Sequence, residues 1–131
     1  MTPKVDPAST LYNLLARYLD DRITALRVGL PCKVIAFDTD SATADIQPLT
    51  RTSKTDPAML HSVPVLSQRY HVHGGDPQVY TPVLYPGDVV FAVCADRELQ
   101  NVKSGNVASP DTNRSHSVND AVIVGVFGWN L

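Results

Sequence analysis

The chain has 131 residues, 44% of them apolar and 18% charged, with a formal charge of −2. That length supports one domain with a real core and leaves little room for a second. The ordinary apolar share argues against a disordered body, and the slightly acidic balance argues against a nucleic-acid module, which is usually basic.

The longest mostly apolar stretch, Ala121 to Trp129, reaches about half of the ~20 residues that a membrane-spanning helix needs. Met1-Thr2-Pro3-Lys4-Val5-Asp6-Pro7 contains no basic region leading into an apolar one. No Sec-type signal peptide is therefore read, and folding is expected in the cytoplasm.

Residues 1–7 read as an arm. Ser9 or Thr10 offers a helix N-cap with Pro7 just outside it. Leu11, Tyr12, Leu14, Leu15, Tyr18, Leu19, Ile23 and Leu26 then recur at the spacing of an amphipathic helix, predicted over 9–26. After Pro31 the texture becomes β-branched. Residues 32–37 and 43–49 are expected to form a hairpin across the Asp38-Thr39-Asp40-Ser41 turn cluster. Residues 50–61 read as irregular. A short strand is expected at 62–66, where Pro64 suits an edge, and another at 79–84. Tyr85-Pro86-Gly87-Asp88 reads as a type II turn. Residues 89–95 and 121–127 are apolar strands, separated by a polar loop over 103–120.

One helix followed by five to six short strands predicts an all-β fold, a small barrel preceded by an N-terminal amphipathic helix. The arm and helix occupy 1–26 and the barrel 27–131. The two apolar strands, 89–95 and 121–127, carry apolar residues on both faces, yet a small barrel has one interior. The outer face therefore needs a cover, either the helix or another subunit.

Little in the chain reads as chemistry. Cys32 and Cys94 lie far apart in apolar runs, so two buried, reduced thiols are expected; a single disulfide stays open, because separation in sequence does not fix separation in space. His71-Val72-His73 would share one face if placed on a strand, which makes His71 and His73 candidate metal ligands. A polar loop before Gly74-Gly75 is the plainer reading, and no cofactor is expected. No GxSxG elbow frames a serine. Asp20-Asp21 and the Asp38/Asp40 pair read as solvated charge and turn chemistry. Gly74-Gly75 lacks the lysine of a phosphate loop. Arg69-Tyr70-His71 and Gln78-Val79-Tyr80 are a faint version of the basic, aromatic groove that single-stranded nucleic acid requires. No enzyme is expected.

The order of segments from Arg27 to Phe127 resembles the N-terminal OB-fold domain of phage baseplate spike proteins, the membrane-piercing spikes of contractile tails. Four segments carry the likeness. The first is Leu30 to Asp38 followed by Thr43-Ala44-Asp45-Ile46-Gln47-Pro48-Leu49. The second is Val63-Pro64-Val65 with the Gly74-Gly75 loop, and the third is Tyr85-Pro86-Gly87-Asp88-Val89-Val90. The last is Arg114, His116 and Asp120 before the final strand. The resemblance implies an OB-fold homotrimer in the virion, at the centre of the tail baseplate. It further implies binding to the tail hub protein and transient contact with the host envelope. In that family a β-helical needle follows the OB-fold. Here Leu131 comes just after the last strand, so the tip is expected from a separate spike-tip protein, or the chain acts as a short plug. Leu11, Leu15 and Leu19 of the helix, with Val90, Val93, Val122 and Val124 of the doubly apolar strands, are the candidate contacts to the hub or to a second copy. Two further readings remain. One is an OB-fold binder of single-stranded nucleic acid. The other is a small hydrolase using His116, a residue for which the resemblance implies a structural contact near Asp120.

Overall fold

The structure is a computed structural model that describes residues 6–131, the side chain of Asn130 excepted. Helix α1 spans Pro7–Ala25. Its N-cap is Asp6, whose Oδ1 accepts a hydrogen bond from the backbone N–H of Ala8 at 3.0 Å. The expected caps, Ser9 and Thr10, lie inside the helix instead. Pro7 occupies the first turn, where its missing N–H costs nothing and its fixed φ favours the helix. None of the described helices is long and apolar enough to cross a membrane.

Seven strands follow: β1 (Gly29–Asp38), β2 (Thr43–Pro48), β3 (Leu60–Pro64), β4 (Gln68–Tyr70), β5 (Gln78–Tyr80), β6 (Val89–Cys94) and β7 (Ala121–Val126). Five of them form one antiparallel sheet in the order β3-β2-β1-β6-β7. The sheet curls into a half-barrel, the small OB-like all-β architecture expected. Irregularities in register bend it. Ile35 is the extra residue between β1 pairs Val34↔Ile46 and Ala36↔Asp45. Val124 is the extra residue between β7 pairs Ile123↔Ala92 and Gly125↔Phe91. Near β3, Ser62 has φ +53°, and its N–H donates to Asp45 Oδ1 at 2.9 Å. Such bulges sharpen strand twist and let a five-stranded sheet close on itself. Closure is made by a parallel bridge between Val65 and Ile123, where Leu66 N–H donates to the Ile123 carbonyl at 3.1 Å.

Alternation sets the core. In β2 and β6 every second residue is buried. Val34, Ile46, Val90 and Ile123 are fully enclosed together with Cys32, with Leu84 capping the cluster. Both cysteines are free and buried.

The strand expected at 79–84 is shorter, ending at Tyr80 and pairing with β4, a strand the sequence pattern did not reveal. Gln68-Arg69-Tyr70 has no apolar run to mark it, and Pro82 withholds a donor farther along the expected strand. The 62–66 strand begins two residues earlier, at Leu60, and sits on the sheet edge, as Pro64 requires. No residue of α1 is buried, so the helix does not cover its own barrel.

Candidate functional site

The polar residues singled out in the sequence hold the barrel's loops. Pro86 and Gly87 fill the central positions of a type II turn, with Gly87 at φ +97°, a conformation that favours glycine. Asp88 closes the turn twice: its N–H donates to the Tyr85 carbonyl at 3.0 Å, and its Oδ2 accepts from the Tyr85 N–H at 2.9 Å. The turn is stitched to β1 by Gly87 N–H to the Val34 carbonyl (2.9 Å) and Val34 N–H to the Asp88 carbonyl (2.8 Å).

The second cluster joins Arg114, His116 and Asp120 to a residue that sequence reasoning missed, Glu98. Arg114 donates to Asp120 through Nε at 2.8 Å and Nη2 at 3.0 Å. Asp120 also accepts from the Leu99 N–H at 3.3 Å. Buried Glu98 lies 3.6 Å from Arg114 Nη2 and accepts from both the N–H and the hydroxyl of Thr112 at 3.0 Å. The Arg114 fork and, secondarily, the Leu99 N–H hold the Asp120 carboxyl below its ordinary range, against its burial. The same hydrogen bonds favour the charged guanidinium of Arg114. One arginine thus pins two acidic residues from opposite ends of the 95–120 excursion. A lone Glu after an apolar strand gives no sequence signal that it will be buried; only its cation, Arg114, was visible.

His116 sits beside this clamp in a left-handed conformation, φ +47°. Its carbonyl accepts from Arg27 N–H and its N–H donates to the Asp96 carbonyl, both at 3.3 Å. Its Nε2 lies 3.4 Å from Asp96 Oδ1, and its Nδ1 is buried with no hydrogen-bond partner. His116 therefore ties the start of β1 to the end of β6, and no serine or cysteine nucleophile is bonded to its ring.

His71 and His73 fall beyond the end of β4, on the exposed connection to β5. They are not on a strand, so the shared-face argument for two ligands does not apply. Among the described residues, no group of three or more His, Cys, Asp or Glu could hold a metal.

The contact candidates divide sharply. Leu11, Leu15 and Leu19 are 53–58% exposed. Val93 and Val122, cross-strand partners, face outward and are half-buried, and Val124 is exposed at its bulge. Val90 is fully enclosed in the core and offers nothing to a partner, because it occupies the inward position of β6. The outer face adds Phe91, packed edge-on to Phe127, on which Trp129 stacks at 4.1 Å.

A chain of 14.2 kDa folded into a compact monomer exposes about 6,800 Å². This one exposes 10,058 Å², about half as much again. The geometry defines an OB-like barrel module with an exposed apolar helix beside it. The chain belongs to the phage protein Gp138 N-terminal domain family, whose model matches residues 30–125. It is accordingly a phage structural protein. The match runs from β1 into β7 and includes the Pro86-Gly87-Asp88 turn and the Arg114–Asp120 clamp; α1 lies outside it. No curated protein matches the chain.

Proposed function

We propose that the chain forms a homotrimer at the centre of a phage tail baseplate, a spike or hub component that caps the tube and aids penetration of the host envelope. The family match over residues 30–125, from β1 into β7, carries this reading. The surplus of exposed surface supports it, being of the size that permanent assemblies bury, roughly 2,000–5,000 Å². The role is mechanical. The barrel passes thrust through a sheet closed on itself, its loops fixed by the Asp88 turn and the Arg114 clamp, and no bond is made or broken. The tail hub protein is the expected neighbour within the virion, and contact with the host envelope is transient.

Light scattering after size exclusion tests the assembly. A mass three times the 14.2 kDa chain is expected, and a monomer at micromolar concentration overturns it. Antibody labelling of intact phage tests the location. Label at the tail tip is expected, and particles that carry none overturn the baseplate reading.

A further inference from the structure

We propose that α1 is an assembly arm. In the oligomer, the apolar face of α1 from one copy lies on the outward face of the β1-β6-β7 sheet of the next copy. The inference rests on the trimeric reading and adds the surfaces that build it.

At 100° per residue, the apolar side of α1 spans an arc of about 180°, from Leu14 through Leu11 and Leu15 to Leu19 and Ile23. Asn13, Arg17, Asp20 and Thr24 hold the opposite side. A helix of this length gains most of its stability from tertiary packing, yet α1 buries no residue. A helix stripe and a sheet face each need a second layer, and this chain leaves one of each uncovered. The sheet face is Pro31 beside Phe91 and Val93 beside Val122, all half-buried, extended by half-buried Phe127 and exposed Trp129. The helix, about 28 Å long, is long enough to cross all three of these strands, which together are roughly 14 Å broad.

The two surfaces do not meet within one chain, and Arg27 sits at the joint between them. Arg27 donates to the Thr24 carbonyl at 3.0 Å and to Thr52 Oγ1 at 3.4 Å, and its backbone N–H is bound to His116. A helix stripe on one copy and a sheet face on the next make a head-to-tail contact, which closes into a ring when repeated. Packing of α1 against α1 about an axis is opposed by Arg22, which projects within the apolar arc over the Tyr18 ring and would meet its own copies there. A lipid surface is opposed by the polar side, where Arg17 is balanced by Asp20 and no basic stripe exists.

The test compares the full chain with two variants by light scattering. Leu15→Asp with Leu19→Asp alters only exposed helix positions, so the barrel itself still folds. Val93→Glu alters the sheet face; Val122→Glu reads the same face should Val93→Glu fail to fold. Each variant alone is expected at one third of the wild-type mass. Mixed in equal amounts, they are expected to form a two-chain species, because the intact helix of one fits the intact face of the other. A helix variant that keeps the wild-type mass overturns the inference while leaving the trimer standing. Variants that stay monomeric on mixing also overturn it, in favour of helix–helix packing or a different protein. A wild-type monomer overturns both the inference and the trimeric reading.

Discussion

Arg114 and Asp120 face each other as a two-pronged ion pair, with Nε to Oδ2 at 2.8 Å and Nη2 to Oδ1 at 3.0 Å, and Asp120 is 3% exposed. Buried charge is tolerated only when paired and fully hydrogen-bonded, and breaking one side leaves the other uncompensated. Asp120→Ala is therefore expected to lower the melting temperature by on the order of 5–10 °C. Arg114→Lys keeps the charge but loses the fork and is expected to fall between wild type and Asp120→Ala. The exposed Arg51–Asp56 pair is the internal control. Asp56→Ala is expected to shift the melt by no more than about 2 °C, because solvent screens such pairs. Thermal melts of the three variants decide it.

The same pair sets a pH dependence. The carboxyl of Asp120 is held below its ordinary range, so the folded state releases this proton more readily than the unfolded chain. Its stabilisation is complete above the unfolded value, about pH 3.9, and is lost as pH falls through the lower folded value. Wild-type melting temperature is expected to drop steeply below about pH 4, and the drop in Asp120→Asn is expected to be shallower. Parallel curves for the two proteins between pH 2 and 7 would refute the assignment.

Much of this arrangement was legible in the sequence. The hairpin β1–β2 followed from β-branched runs around a turn cluster, and the Pro86-Gly87 turn from dipeptide chemistry alone. Both are local, and local preference and tertiary structure agree there. What escaped was non-local. β4 is three residues long and carries no apolar period, so its pairing with β5 depends on a loop rather than on a pattern. Glu98 is buried only because Arg114 and Thr112, distant in sequence, converge on it. Val90 was placed on the wrong side because an all-apolar strand gives no parity; the register with β1 and β7 supplies it.

The Cys32 thiol gives a second titration of opposite sign. Burial, aided by the neighbouring Cys94, pushes it from 9.0 up to about 11. The folded state keeps this proton after the unfolded chain has lost it near pH 9.0, so stability declines as pH rises from there towards 11. Reaction of the native protein with a thiol reagent at pH 8 is expected to follow unfolding rather than simple exposure. Cys32→Ala is expected to flatten the alkaline limb of the pH–stability curve, and an unchanged limb would refute this cause.

Gly29 and Phe91 make the last prediction. They sit on adjacent strands, and a Cβ on Gly29 would clash with Phe91 Cζ. The ring is the movable end of the pair, but it is packed edge-on against Phe127 at 5.8 Å, so turning it aside breaks that contact. Gly29→Ala is expected to destabilise the fold by about 1–3 kcal/mol, the usual cost of forcing carbon into a packed site. Adding Phe91→Ala removes the obstruction, so the double variant is expected to lose less than the two singles together, with a coupling of about 1 kcal/mol. Additive losses in denaturant melts would mean that the ring moves freely. The contact also bears on assembly, since Phe91 belongs to the sheet face proposed to receive α1. A displaced ring in Gly29→Ala is expected to weaken the oligomer as well as the fold, seen as a lower mass at equal concentration in light scattering.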